Sequence, residues 1–377
     1  FWLKNFLGSS LNLLLRPSGT VGMLPWIFRR QMRMNRRTWS MRWAGVSPVR
    51  KRFIIAGAMA CTFTCTMQYK FKECVEVVGN PAQITSPGTL FWLRVLFGRM
   101  RSRWFGALTE IRLPTGLRAP LFRLFAWTYA VDLEEVRYPL DSFKTFNDFF
   151  CRALKEGARP ISDLPAGLVS PVDGRVLASG VIRNANTRVE QVKGATYSVP
   201  AFLGLDPVEF KAEKSLIRYV VLYLAPGDYH RIHAPCRVKF TQGRHFCGEL
   251  IPLKQSILKH VDDIFAVNER VVLSGEWGFG QMHLVAVGAA NVGNIYLDFD
   301  EKLKTNRLRD IAVHCGGDVS KKLYPHGVAL ETGGNVGGFR LGSTVVLVFD
   351  APECFQWKVN LGDSVRVGEA LGEVVTQ

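Results

Sequence analysis

Gly342-Ser343-Thr344-Val345-Val346-Leu347-Val348-Phe349 is the stretch that decides the architecture, a Gly-Ser turn running straight into an unbroken apolar segment rich in β-formers. Valine and phenylalanine in such a run read as a strand. The Gly342-Ser343 pair in front of it is the feature most able to carry chemistry. Glycine leaves its carbonyl unhindered and its backbone free to take the strained geometry that attack by the next residue requires. Alone, the pair is an ordinary turn signal. Its weight comes from what surrounds it.

The same strand-like pattern begins near Leu168 and recurs on both sides of Leu177 and over residues 219–224, 270–273, 283–287, 295–299 and 371–375, with Gly, Pro, Asn and Asp between the segments. Short apolar segments punctuated in this way predict a mainly antiparallel β body over residues 167–377. Ahead of it the pattern is helical. Thr145–Leu154 opens with a Thr-x-x-Asp cap at Thr145 and Asp148 and carries Phe146, Phe149 and Phe150 on one face. Thr89–Phe97 and Pro120–Val131 have helical length, with arginines interrupting aromatic surfaces. That suits helices lying on a lipid headgroup layer and equally suits core packing. The expected class is α+β, with residues 70–166 a helical, membrane-proximal portion. The tail, Gly362 to Gly372, looks like the hairpin of biotinyl- and lipoyl-carrier barrels but has no lysine at a tip to modify.

Two further places could supply catalytic groups. Asp228-Tyr229-His230-Arg231-Ile232-His233-Ala234-Pro235 follows a predicted strand and the turn Pro226-Gly227, where a strand end presents side chains to a cleft. Asp173 sits in the tight turn Ser170-Pro171-Val172-Asp173-Gly174. Each has a plain reading, loop histidines satisfied by carbonyls and a common Asp-Gly turn. Together with Ser343 they could form nucleophile, base and orienter. His245, His260, His283, His314 and His326 have no partner at ligand spacing, and the eight cysteines contain no C-x-x-C, so no metal site is expected.

Six ordered segments carry a resemblance: Pro171-Val172-Asp173-Gly174; Val192-Lys193-Gly194 with Tyr197-Ser198; Ala225 through Pro235; Asn268-Glu269-Arg270-Val271; Val287-Gly288-Ala289 with Asn291-Val292-Gly293; and Phe339-Arg340-Leu341-Gly342-Ser343-Thr344. In this order they resemble phosphatidylserine decarboxylase, most nearly the mitochondrial type, over about residues 100–377. The departures are Ala290 in place of Thr, Asn294 in place of Ser, and a poor match from Asp300 to His326.

The resemblance implies a proenzyme that makes its cofactor from its own chain. His233, oriented by Asp173, would take the proton of Ser343 as the hydroxyl attacks the Gly342 carbonyl. The resulting ester would undergo β-elimination, releasing a chain that ends in a carboxylate at Gly342 and leaving dehydroalanine at position 343, which takes up water and loses ammonia to give the pyruvoyl group heading a second chain, residues 343–377. The two chains would stay associated. The new carbonyl would form a Schiff base with phosphatidylserine and accept the electrons released with carbon dioxide, giving phosphatidylethanolamine. The His230/His233 pair would return the proton, with His230 positioning or binding substrate. No metal is implied. Arg231, Arg270 and Arg340 are candidates for the phosphate by charge.

Composition separates a leader from this body. Of 48 basic and 32 acidic residues, 13 basic and no acidic residues fall within positions 1–72, leaving a net +3 on the remainder. A nucleic-acid-binding body is therefore not supported. Residues 1–52 read as a mitochondrial targeting leader, and the initial Phe places the true N-terminus upstream. Phe53–Tyr69 is uncharged, follows Arg50-Lys51-Arg52, and reads as a short membrane anchor. With the basic flank in the matrix, the body would face the intermembrane space from the inner membrane. Two other readings are a Ser-His-Asp hydrolase, disfavoured because no G-x-S-x-G elbow is present, and an inactive membrane protein of the same fold.

Overall fold

The computed structural model describes residues 99–182, 188–192, 195–205, 216–248, 250, 264–289, 294–303, 305 and 319–375. All lie in one compact unit, Lys70–Gln377. The leader, the anchor at 53–69 and the segment at 89–97 fall outside the described residues.

The body is built on an eight-stranded antiparallel sheet. With strands numbered in chain order, it runs β11 (Val319–Leu330), β7 (Val238–Phe246), β8 (Arg270–Trp277), β9 (Gly280–Gly288), β13 (Ser343–Ala351), β5 (Leu216–Tyr223), β2 (Gly174–Ile182) and β15 (Ser364–Val365). The run quoted first is β13, paired on one side with β9 and on the other with β5. It is continuously apolar because both faces of this sheet are covered. Val345, Leu347 and Phe349 enter one core with Leu222, Leu273 and Leu284. Val346 and Val348 enter the other with Val221, Val272 and Val285.

Two three-stranded sheets flank the large one: β10 (Asn294–Leu297), β12 (Asn335–Arg340) and β6 (Arg231–His233), and β1 (Gly167–Val169), β16 (Ala370–Val374) and β14 (Phe355–Trp357). The carrier-type hairpin expected in the tail is not formed, because β15 pairs with β2 whereas β16 lies between β1 and β14. A fourth pair, β3 (Arg188–Val192) with β4 (Ala195–Ser198), leads into the short helix Val199–Leu203.

Among the described residues three α-helices precede the strands: α1 (Arg99–Thr109), α2 (Thr115–Tyr129) and α3 (Phe146–Phe150). The capping box of α3 forms as expected, Thr145 and Asp148 each accepting the other's backbone N–H at 3.0 Å. The helix is shorter than the predicted Thr145–Leu154, ending at Cys151, because its last residues turn to bond β6 and β12 instead of continuing. Its phenylalanines do share a core: Phe149 stacks on Phe122 of α2 at 4.5 Å, with Phe143 and Val136 around them. The opposite side of α1 and α2 is bare. Trp104, Leu108, Leu117, Leu124 and Trp127 are all more than half exposed. Among the described residues, no helix is long and apolar enough to cross a membrane.

Candidate active site

Leu341 and Gly342 form the joint at which the chain leaves β12 in the small sheet and enters β13 in the large one. The joint is strained at a residue that pattern reading did not single out. Leu341 has φ +88°, a conformation costing an L-residue roughly 1–2 kcal/mol, while its side chain is buried. The glycine after it is half-buried, and the backbone of Ser343 pairs with Gly288 of β9.

His230 stands against this joint. A side chain at Gly342 would meet its Nε2 at 3.9 Å. The ring is fully buried, and Nε2 has no hydrogen-bond partner. Nδ1 lies 2.8 Å from the carbonyl of Asp228, an acceptor only, so Nδ1 carries the proton and Nε2 presents its lone pair. Burial drives the imidazole down to about 3; the Asp228 carbonyl opposes this, and the Arg152 charge adds to it. The ring is therefore neutral at physiological pH. Phe150 packs on it with ring centres 4.1 Å apart.

His233 lies three residues on, with Nδ1 2.8 Å from the Gly333 carbonyl and Nε2 3.2 Å from the Tyr229 hydroxyl. Burial lowers its proton affinity. The Gly333 carbonyl raises it, Arg231 lowers it, and Asp173 and Asp298 raise it. Tyr229 is itself pushed up to about 12 by burial, so its hydroxyl stays protonated and donates.

Asp173 is placed differently from the sequence expectation. Instead of bonding His233, its carboxylate is gripped by Arg159, at 3.0 Å to Nε and 2.6 Å to Nη2, and accepts the backbone N–H of Val367 at 2.8 Å. Arg159 continues to Glu135 at 2.9 Å. Asp173 thus acts on His233 through its charge. Gly174 must be glycine, since a Cβ there would lie 2.4 Å from the Tyr223 carbonyl. A cavity of about 540 Å³ opens beside Asp173, bordered by Arg152, Arg159, Arg175, Tyr229 and Arg366.

Of the arginines suspected for phosphate, Arg270 is spent inside the fold on the carbonyls of Phe202 and Ala201. Arg231 donates to the Cys151 carbonyl, and Arg340 pairs with Glu110 at 3.1 Å. Two of the remaining histidines are core residues, His245 on Glu269 and His283 on the Ser274 hydroxyl. Among the described residues there is no cluster of metal-ligating side chains.

A strained Leu-Gly-Ser joint with a neutral imidazole against it is the environment in which the match to known proteins falls. The family model described as phosphatidylserine decarboxylase matches residues 146–373, more than half of the chain. The chain belongs to the phosphatidylserine decarboxylase family. It is 46% identical over 333 residues to the Toxoplasma gondii protein named phosphatidylserine decarboxylase proenzyme 1, mitochondrial, covering 88% of this chain and 78% of that one. To the Plasmodium falciparum phosphatidylserine decarboxylase proenzyme it is 36% identical over 326 residues, 86% of this chain and 90% of that one. The mitochondrial proenzyme of Pongo abelii is 38% identical over 300 residues, 73% of this chain and 72% of that one.

In this member of the decarboxylase family, sequence reading missed Phe150, Arg152, Arg159 and Tyr229. Arg152 and Arg159 flank no recognisable motif. Their partners, the Gly227 and Asp228 carbonyls and the Asp173 carboxylate, come from distant segments. Tyr229 sat inside the histidine segment and could have been noticed as a donor four residues before His233.

Proposed function

We propose that this decarboxylase converts phosphatidylserine to phosphatidylethanolamine and carbon dioxide with a pyruvoyl group formed from its own Ser343, after cleavage between Gly342 and Ser343. The observation that carries the reading is the unpartnered, buried Nε2 of His230 beside Gly342, at a joint strained through Leu341. A pyruvoyl group supplies a carbonyl that forms a Schiff base with the substrate amine and then acts as an electron sink. The residues present fit a carbonyl at position 343 that receives an amine, because the buried Nε2 lone pair of His230 beside Gly342 has no competing partner and can accept from that amine's N–H.

In self-cleavage His233 is the base for the Ser343 hydroxyl. The carbonyl of Gly333 and the charges of Asp173 and Asp298 support its proton affinity, whereas His230 has little. In turnover the His230 lone pair accepts a hydrogen bond from the substrate amine and positions it, and the His230/His233 pair handles the proton returned to the former α-carbon, with His233 the ring able to carry it. Strain at Leu341 is released when the peptide bond is cut.

The lipid substrate calls for a membrane face, and the bare apolar side of α1 and α2 supports one, with Arg112 and Arg123 beside it for anionic headgroups. The mitochondrial names of relatives and the basic leader support mitochondrial residence, with the body anchored by residues 53–69 and facing the intermembrane space. The hydrolase reading loses ground because residue 343 opens a strand, not the strand-to-helix turn of a nucleophile elbow. Asn294, a departure from the family pattern, accepts from the Thr305 backbone N–H and pairs across the small sheet with Arg340.

Intact mass under denaturing conditions tests the reading without substrate. A fragment of roughly 4 kDa, the share of 42.3 kDa that 35 of 377 residues carry, and lacking the amine of a serine N-terminus is expected. An uncut chain in the presence of membranes would overturn it. Ser343→Ala should stay uncut. His233→Ala should cut more slowly than His230→Ala; the reverse order would give the base role to His230, the nearer ring.

A further inference from the structure

Three consecutive residues at the end of α3 converge on the joint from outside the motifs. Phe150 packs on the His230 ring. Cys151 donates through Sγ to the Phe339 carbonyl at 3.2 Å and accepts from Arg231 through its own carbonyl. Arg152 donates through Nη2 to the Gly227 carbonyl at 3.0 Å and the Asp228 carbonyl at 3.3 Å. The Asp228 carbonyl is the same one that holds His230 Nδ1. Arg152 is buried, with only 4% of its surface exposed, and its Nε and Nη1 have no hydrogen-bond partner. Burying a guanidinium at a cost of several kcal/mol with so few bonds is a poor way to stabilise a fold. A functional demand on its position accounts for it better.

We infer that Arg152 is a positioning residue for the decarboxylation reaction: it pins the Asp228 carbonyl that fixes the proton on His230 Nδ1, and so keeps the Nε2 lone pair aimed at residue 343. The inference rests on the reading of His230 given above. The titratable groups on the elements packed around the ring are Asp148 on α3, Cys151 and Arg152 after it, Asp228 and Tyr229 in the ring's own turn, Arg231 and His233 on β6, and Arg340 on β12. Of these, Arg152 is the one whose charge acts on it. A fixed cation beside the ring opposes a second proton there, so the lone pair survives to low pH. The rest of α3 ties this arrangement to α2 through Phe146 and Phe149, against Phe125 and Phe122.

The test uses the full chain in phosphatidylserine-containing vesicles and three substitutions. Arg152→Met removes donor and charge, Arg152→Gln keeps a donor, and Arg152→Lys keeps donor and charge. Fragment formation is followed by mass and turnover by carbon dioxide release from pH 3 to 9, the range that contains the acid limb set by His230. Expected is a kcat lowered about tenfold or more in Arg152→Met with KM within about twofold, and an acid limb of the kcat profile moved toward neutral pH by about one unit. Gln should be intermediate, and Lys should restore kcat to within about threefold. If Met fails to fold, Gln against Lys gives the same comparison. Fragment formation lost in Met but kept in Lys also supports the charge-dependent role, since the same joint is being positioned. Equal loss in all three with an unchanged pH profile would reduce Arg152 to packing, and wild-type behaviour in Met would end the proposal. A wild-type chain that is never cut would refute the reading of Ser343 instead.

Discussion

Replacing Asp173 by Asn removes one charge from a buried network and leaves its shape. In the native arrangement the Arg159 guanidinium meets Asp173 through three contacts of 2.6–3.1 Å, and the Val367 N–H adds a fourth acceptor bond at 2.8 Å. Both side chains are about nine-tenths buried. Breaking a buried pair by removing one partner costs about 3–5 kcal/mol, because the other charge is left uncompensated. Here Glu135 still holds Arg159 at 2.9 Å, which lowers the expectation to about 2–4 kcal/mol. The assay is urea unfolding of the detergent-solubilised chain carrying Ser343→Ala, so that cleavage does not confound stability. Adding Arg159→Met should recover at least half of the loss, since the stranded charge goes with it. A change below about 0.5 kcal/mol for Asp173→Asn would refute the network. The cleavage rate in the Ser343 background then separates two roles for Asp173. If the Asp173→Asn/Arg159→Met chain is stable yet uncut, the carboxylate is needed for its charge on His233. If it cuts normally, Asp173 is a scaffold residue.

The remaining expectations are briefer. Leu341→Gly removes the strain at φ +88°, and if that strain is released in cleavage the half-time should lengthen by roughly 5–30-fold, the rate equivalent of about 1–2 kcal/mol; an unchanged half-time would mean the strain is not used. Stability should fall with acid through the buried neutral histidines. His230 and His283 titrate near 3 and 4 when folded and near 6.5 when unfolded, so their stabilisation is complete above about pH 6.5 and lost as pH drops toward those values. Each adds up to about 1.4 kcal/mol per pH unit in that window, and His283→Gln should flatten the slope by that amount; an unaltered slope would contradict the burial argument. Gly174→Ala places a methyl 2.4 Å from the Tyr223 carbonyl and should cost at least about 2 kcal/mol in the same unfolding assay. Trp127, 82% exposed on α2, should be quenched by brominated acyl chains in vesicles, and Trp127→Phe should remove a measurable part of that quenching; full quenching retained without it would place the membrane face elsewhere.

The local signals in the chain were enough for the strand content and for naming the candidate residues of the site. Val345 to Phe349 could be read as a strand because β-branched and aromatic side chains suit a pleated, buried surface, and β13 runs from Ser343 to Ala351. The Thr145–Asp148 cap could be read because both partners lie within one turn of chain. Ser343, His230, His233 and Asp173 were nameable from short motifs, and the order of those motifs identified the family. Tertiary structure decided everything that depends on segments far apart. It gave the carboxylate of Asp173 to Arg159 and put His230 rather than His233 beside Gly342. It ended α3 early so that Phe150, Cys151 and Arg152 could reach β6, β12 and the Asp228 carbonyl. It also moved the backbone strain to Leu341, the residue at which one sheet hands the chain to the next. The reason is physical: propensity and capping act within a few residues, whereas the partner of a buried charge and the direction of a lone pair are set by which strands pack together, at sequence separations that no local pattern spans.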